Sequence, residues 1–219
     1  MGDWAYLLGF HLLSQILIVA VVFFCIWRFI KYVLRKKYSK DEEPVFSKDL
    51  SVNFKGLFGA TPIMGVARCA TDVSEIEHIL KQGANPNVRD TDGQTPLMLA
   101  VRYNPNAEII QALIRAGADT TVKTKEGDTL LGLAARYNTN PAVSQVLLTT
   151  GINVNAVNQY HQTALMHAAQ SNHNPEVVRV LLEAGADKMM RSKGGKRAAD
   201  YAHENVEIYK TETFYALEP

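Results

Sequence analysis

The stretch that decides the fold runs from Asp90 to Ala100 and reads DTDGQTPLMLA. The part of it that begins at Gly93, GQTPLMLAV, has similar counterparts elsewhere in the chain. These are GATPIMGVA from Gly59, GDTLLGLAA from Gly127, HQTALMHAA from His161 and a partial match, GKRAADYA, from Gly195. Successive starts are separated by 34 residues. A fixed period of this size is the signature of a repeat architecture, in which stacked units bury a shared core.

A second column of residues supports the same period. The segments QGANPN, AGADTT, TGINVN and AGADKM place one glycine each at the same position, namely Gly83, Gly117, Gly151 and Gly185. Two independent columns with one period identify a tandem repeat. Each unit is predicted as a helix, a loop, a second helix and a turn that ends in this glycine, which suits the left-handed C-cap position.

The second helix of each unit has a start signal and an apolar ridge. Its start is marked by a column of N-cap residues, Asp72, Asn106, Asn140 and Asn174. Pro141 and Pro175 follow two of them at the first helical position, where the missing N–H would be unpaired anyway. The predicted buried ridge consists of Ile79, Leu113, Leu147 and Leu181. Small residues in the first helices would let neighbouring helices approach closely, namely Ala67, Ala100, Ala134 and Ala168.

The pair DTDGQTPLMLA and IIQALIRAGAD resembles the ankyrin repeat, whose signature includes T-P-L-H-x-A and a GAD-type turn. The resemblance covers residues 50 to 219 and implies an all-α ankyrin-repeat solenoid over residues 51–219. Repeats begin at about 59, 93, 127 and 161, and residues 195–219 form a polar closing repeat. The usual His is replaced by Met64, Met98, Gly132 and Met166, and the period exceeds the usual 33 by one residue. The extra residue is assigned to the loop between the helices, in YNPN, YNTN and SNHN.

An uncharged apolar run precedes the repeats. Trp4 to Trp27 contains no Asp, Glu, Lys or Arg, and its 24 residues would extend about 36 Å as a helix, enough to cross a hydrocarbon core of about 30 Å. A cleaved signal peptide is the rival interpretation, but no basic residue precedes the run and no small-residue cleavage site follows it. We therefore predict a short tail, one transmembrane helix, and a basic juxtamembrane segment with a linker, at residues 1–3, 4–30 and 31–50.

Flanking charge predicts the orientation of this span. All nearby basic residues lie on its C-terminal side, namely Arg28, Lys31, Arg35, Lys36, Lys37 and Lys40. The positive-inside rule then places the N-terminus outside and the repeat domain in the cytoplasm, as a single-pass membrane protein; the alternative is the inverted orientation, with the repeats facing the periplasm or lumen. Residues 4–40 would contact lipid, with the basic cluster either bound to anionic headgroups or serving only as a stop-transfer flank.

The sequence contains no pattern that indicates catalysis. Glycine-rich phosphate loops, GxSxG elbows and HExxH motifs are all lacking. His161, His167 and His173 are spaced by six residues, so they do not share a helix face and are not expected to bind a metal. The formal net charge of +1 gives no indication of nucleic-acid binding. The prediction is therefore a non-enzymatic protein without metal, cofactor or nucleic-acid partner.

The resemblance to ankyrin repeats implies a groove lined by turn tips and by the ends of the first helices. The residues predicted to bind a partner there are Arg68, Arg89, Arg102, Tyr103, Lys123, Lys125, Arg136, Tyr137, Tyr160 and Gln170. Arg and Tyr are enriched at interface hot spots, and arginine suits carboxylate groups, so an acidic segment of another protein is the predicted ligand. The alternative is that Arg and Tyr stack on one another between repeats and only support the solenoid.

These observations predict a membrane-tethered protein–protein interaction module, either a scaffold or an accessory subunit. A second hypothesis is a regulatory or structural subunit of a membrane complex that is recruited through the transmembrane helix. His11 and Gln15 would then be the contacts, because residues four apart share a helix face. A different reading of these two residues is that they lie near the outer interface and reach water.

Overall fold

The computed structural model describes residues 52–209 and 211–218, which belong to a compact unit, Ser47–Pro219. The tail, span and linker predicted at residues 1–50 lie outside the described residues. Within the described part a short 3-10 helix covers Leu57–Gly59, and the α-helices are α1 (Pro62–Cys69), α2 (Val73–Lys81), α3 (Pro96–Tyr103), α4 (Ala107–Arg115), α5 (Leu130–Tyr137), α6 (Pro141–Leu148), α7 (Ala164–Ser171), α8 (Pro175–Glu183), α9 (Ala198–Ala202) and α10 (Glu212–Leu217). None of these helices is long and apolar enough to span a bilayer.

The helices form two rows. The odd-numbered helices, called inner helices below, pack successively on one another, and the even-numbered outer helices do the same. Each inner helix also packs on the outer helix that follows it in the chain. Outside the helices, the described residues contain one isolated antiparallel bridge, between Lys123 and Thr129, and no strand. The predicted all-α repeat fold is confirmed.

The local signals act as the sequence predicts. Each N-cap side chain accepts a hydrogen bond from the amide two residues on, at 2.8–3.0 Å, in the column Asp72, Asn106, Asn140 and Asn174. α6 and α8 begin at Pro141 and Pro175. The glycine after each outer helix is left-handed, with φ between 78° and 93° at Gly83, Gly117, Gly151 and Gly185. These caps end the helices at the same position in every repeat.

The apolar columns form one continuous core. The outer-helix ridge is buried in every repeat, at Ile79, Leu113, Leu147 and Leu181. A second column, on the inner helices, is fully buried at Ile63, Leu97, Leu131 and Leu165. The small residues that let the inner helices approach are also fully buried, at Ala67, Ala100, Ala134 and Ala168. Because no single helix pair covers both columns, the units are stable only as a stack.

Buried asparagines connect each repeat to the one before it through the loop between inner and outer helix. We call Asn104, Asn138, Asn172 and Asn205 the asparagine ladder. Each Nδ2 donates to two main-chain carbonyls of the preceding repeat, at 2.7–3.1 Å. Each Oδ1 accepts from the amide two residues on, at 2.9–3.1 Å. The ladder lies in the loop to which the sequence assigns the extra residue of the period.

Hairpin turns precede the inner helices and form a second row of contacts between repeats. In each turn, at residues 56–60, 90–94, 124–128, 158–162 and 192–196, the first amide donates to the last carbonyl at 2.8–3.1 Å. The tip residues are Phe58, Asp92, Glu126, Tyr160 and Gly194. The residue after each tip is left-handed, at Gly59, Gly93, Gly127, His161 and Gly195. Neighbouring tips touch, as where the Gln159 amide donates to the Glu126 carbonyl at 3.1 Å.

We expect Gly127→Ala to destabilise the stack more than Gly93→Ala. Both glycines are left-handed, with φ of 82° and 78°, so each new Cβ costs about 1–2 kcal/mol. At Gly127 the Cβ would also lie 3.3 Å from the Gln159 amide nitrogen, whereas at Gly93 nothing lies within 4 Å. The urea midpoints of the two variants measure the difference, and equal midpoints would show that the contact between neighbouring tips does not contribute to stability.

Candidate partner-binding groove

A groove lies between the hairpin tips and the inner helices of the second and third repeats. It contains a cavity of about 620 Å³ between hairpins 90–94 and 124–128. Buried Met98 of α3 and Leu133 of α5 form its apolar floor. Four predicted partner-binding residues line this cavity, namely Arg89, Arg102, Lys123 and Lys125.

The charged side chains at this cavity differ in how far they are already paired. Arg89 donates to the Gly93 carbonyl at 3.0 Å, and Lys125 forms an exposed ion pair with Asp92 at 3.3 Å. Within residues 52–209 and 211–218, neither Arg102 nor Lys123 belongs to an ion pair. An acidic ligand could therefore bind these two cations without displacing a carboxylate of the described residues.

Arginine and tyrosine side chains alternate along the ends of the inner helices. We call Arg68, Tyr103, Arg102, Tyr137 and Arg136 the arginine–tyrosine stack. The guanidinium of Arg102 lies over the rings of both Tyr103 and Tyr137, at 5.1 and 4.2 Å from their centroids. Arg68 lies 4.3 Å over Tyr103, and Arg136 lies 5.2 Å over Tyr137.

Stacking of arginine on tyrosine between repeats is the geometry expected if these side chains support the solenoid. Each such contact at a partly exposed site contributes about 0.5–1 kcal/mol. A guanidinium that stacks through its face still presents N–H donors at its edge, so support and recognition are compatible. Both rings also remain accessible, since Tyr103 and Tyr137 are 43% and 41% exposed. The stack holds the arginines in a fixed row.

The other predicted residues extend the groove in both directions. Arg136, Tyr160 and Gln170 line a shallower cavity of about 420 Å³ toward the closing repeat. Arg68 and Tyr103 border a third, of about 340 Å³, at the loop before α4. Tyr137 belongs to the stack and lines none of these three. The ten residues thus form an extended track and no single pocket, which suits a segment of protein better than a small molecule.

A family model described as ankyrin repeats (3 copies) matches two overlapping parts of the chain, residues 28–124 and 103–192. Together they span 165 of the 219 residues. The chain belongs to the ankyrin-repeat family. A search of curated proteins gives no match. Ankyrin-repeat proteins are typically non-enzymatic interaction modules, so family membership indicates protein–protein interaction as the broad role.

The ankyrin stack also holds a buried polar cluster that the sequence did not predict. His167 on α7 is 3% exposed, and its Nε2 lies 3.2 Å from Oδ1 of Asp128, in the third hairpin. Asn158 donates to the same Oδ1 at 2.7 Å. Nδ1 of His167 is buried without a partner. Because a carboxylate only accepts, Nε2 donates its proton to Asp128 in this contact.

Opposing effects act on the pKa of Asp128. Burial raises it, but the hydrogen bonds from His167 and Asn158, helped by the charges of His167 and Arg136, outweigh this and hold the pKa below its ordinary value. The carboxylate is therefore the stable form inside the stack.

Two positions at which the third and fourth repeats differ from the others could have revealed this cluster. Gly132 stands where the other repeats have Met64, Met98 and Met166, and His167 stands where Leu99 and Leu133 lie. A Cβ added at Gly132 would lie 3.6 Å from Cδ2 of His167. This is an ordinary van der Waals distance, so position 132 lies directly beside the imidazole ring.

Proposed function

We propose that this ankyrin-repeat protein is held at the membrane by residues 4–30, with its repeats on the cytoplasmic side, and that its groove captures an acidic segment of another protein. It would act as a scaffold or accessory subunit. The observation that carries this proposal is the arginine–tyrosine stack, which fixes three guanidinium groups in a row along the groove.

Charge and polarity of the groove favour an acidic segment. Arg102 approaches this cavity from inner helix α3, and Lys123 approaches it from the position just before hairpin 124–128. Both lie at the cavity whose apolar floor is Met98 and Leu133. An extended segment could place an apolar side chain on this floor and carboxylates against the two cations. Arginine binds carboxylates in a bidentate manner, and charge complementarity of this kind favours the correct partner over others.

The tether is supported by the sequence. A run of 24 residues without any formal charge is long enough to cross a bilayer, and six basic residues follow within the next 13 positions, from Arg28 to Lys40. A cytoplasmic stack tethered in this way would meet partners close to the membrane surface, where tethering raises their effective concentration.

The test is affinity capture from source cells with the full chain and with Arg102→Glu/Arg136→Glu. We expect the amount of specific partner recovered to fall at least tenfold, because two cations of the groove become anions. The matched control is Lys81→Glu/Arg115→Glu, which makes the same charge change on exposed outer helices. Capture should be done well below the melting temperature, since the groove variant also loses the Arg102 and Arg136 contacts with Tyr103 and Tyr137.

Two results would contradict the groove as the binding site. One is undiminished capture by the groove variant, and the other is an equal loss in the outer-helix control. A third variant replaces the span with an unrelated apolar helix. If this swap alone abolishes capture, the transmembrane helix recruits the partner, and the protein is instead a subunit of a membrane complex.

A further inference from the structure

Two phenylalanines at the start of the repeat domain face solvent. Phe54 and Phe58 are 63% and 73% exposed, and exposed Lys55 lies between them in the chain. At the tip position held by Phe58, the second, third and fifth hairpins carry Asp92, Glu126 and Gly194. Two highly exposed aromatic side chains only four positions apart in the chain are a reason to look for an interaction site.

The backbone of Phe58 is itself unusual. Its φ is 61°, in the left-handed region that a bulky residue rarely adopts, and the tips Asp92, Glu126 and Tyr160 do not share this conformation. The Phe58 carbonyl accepts from both the amide and Oγ1 of Thr91, at 3.0 Å each. The next hairpin therefore fixes the main chain of Phe58 while its ring remains in water. A strained residue that the surrounding structure holds in place is a reason to look for function.

We propose that Phe54, Lys55 and Phe58 lie in the headgroup region of an anionic bilayer and so dock the first repeat on the membrane. Aromatic rings with a neighbouring lysine are the side chains that bind at this interface, the rings at the acyl boundary and the ammonium near phosphate. This inference rests on the membrane tether of the proposed function.

Chain length makes this contact reachable. The predicted span ends at residue 30, and Phe54 follows after 23 residues. A random coil of that length would have an average end-to-end distance of about 25–30 Å. Basic residues from Lys31 to Lys40 would hold the first part of the linker on anionic lipid. The aromatic pair therefore stays within reach of the surface from which the chain emerges.

Tryptophan fluorescence of the full chain tests this placement. In a background with Trp4→Phe and Trp27→Phe, one tryptophan is introduced by Phe58→Trp and the protein is reconstituted in phosphatidylcholine vesicles with phosphatidylglycerol. We expect emission at shorter wavelength than that of the Tyr215→Trp control described below in the same vesicles, and loss of at least half of the intensity when the lipids are brominated near the headgroup. Phe54→Trp is a second probe at a residue whose φ is not left-handed.

Tyr215→Trp is the matched control, since Tyr215 is 65% exposed on α10 of the closing repeat. Its emission should remain that of tryptophan in water and should not respond to brominated lipid. Replacing phosphatidylglycerol by phosphatidylcholine, or Lys55 by Glu, should weaken the quenching at position 58.

The possible outcomes separate this inference from the tether. If the chain co-floats with vesicles but the probe at 58 stays in water, the inference is overturned and the tether stands. If the chain does not float with vesicles, both fail. Equal quenching at 58 and 215 means non-specific adsorption and overturns the inference. Emission at short wavelength that brominated lipid does not quench also overturns the inference, because protein, either residues 1–51 or a second copy, then covers the site.

Discussion

Asn138→Ala is expected to lower the free energy of unfolding by about 3–4 kcal/mol, the largest loss that we predict for one side chain. Asn138 is 5% exposed, and its Nδ2 donates to the carbonyls of Val101 and Asn104 at 2.9 and 2.8 Å. Its Oδ1 accepts from the Asn140 amide at 3.0 Å. The substitution leaves two buried carbonyls and one amide without partners, and each such group costs about 1–3 kcal/mol if water does not reach it. Urea denaturation followed by circular dichroism measures the loss.

Asn87→Ala is the matched control for the ladder. Asn87 also bridges repeats, with Nδ2 2.8 Å from the Gly117 carbonyl and Oδ1 2.8 Å from the Asp119 amide, but it is exposed. Water can replace both bonds, so a loss of about 1 kcal/mol or less is expected. Asn138→Asp should destabilise at least as strongly as Asn138→Ala, because a carboxylate would face two carbonyls. Similar losses at positions 87 and 138 would refute the claim that burial gives the ladder its strength.

His167→Leu is expected to destabilise the stack by about 3 kcal/mol, although leucine occupies the same position in the two preceding repeats. The substitution leaves the Asp128 carboxylate, 11% exposed at its side chain, with Asn158 as its one remaining close partner in the cluster. An uncompensated buried charge is among the most destabilising changes a core can undergo. Thermal unfolding of the variant and the parent chain would measure it.

A double-mutant cycle separates this effect from loss of packing. Gln94 and Leu133 are the residues that correspond to Asp128 and His167 in the preceding pair of repeats. The variant Asp128→Gln/His167→Leu therefore transplants a pair that this stack already accommodates. We expect the double variant to recover about 2 kcal/mol of the loss, so the two substitutions are non-additive. Additive losses would mean that Asp128 and His167 do not stabilise each other.

Acid should weaken the same cluster. Because the folded-state pKa of Asp128 is depressed, its contribution to stability is complete above the unfolded value of about 3.9 and is lost as pH falls through the folded value. Asp128→Asn lacks this titration, so its stability should approach that of the parent chain as pH falls below about 4. In His167→Leu one of the hydrogen bonds that lower the pKa of Asp128 is lost, so the folded-state pKa moves up toward the unfolded value and acid should cost this variant less stability than it costs the parent chain. Free energies of unfolding between pH 3 and 7 would show both shifts.

The sequence by itself determined the repeat and the ends of its helices. Caps such as Asn140, the proline after it, and left-handed Gly151 depend on residues that lie next to one another in the chain. Their hydrogen bonds are made within one turn, so the same local pattern gives the same boundary in every unit. For the same reason the period predicts the row of arginines at the inner-helix ends. It does not predict which contacts these arginines make.

Only the tertiary structure decided which side chains meet across repeats. The Asn138 amide reaches Val101 over 37 residues, His167 reaches Asp128 over 39, and the guanidinium of Arg102 lies over the ring of Tyr137. No period distinguishes a buried asparagine that donates to two carbonyls from one that reaches water, because burial depends on how closely neighbouring helices pack. The same holds for the exposure of Phe58. Contacts within one unit follow from chain geometry, whereas contacts between units follow from packing, and packing is where the candidate site and most of the predicted effects lie.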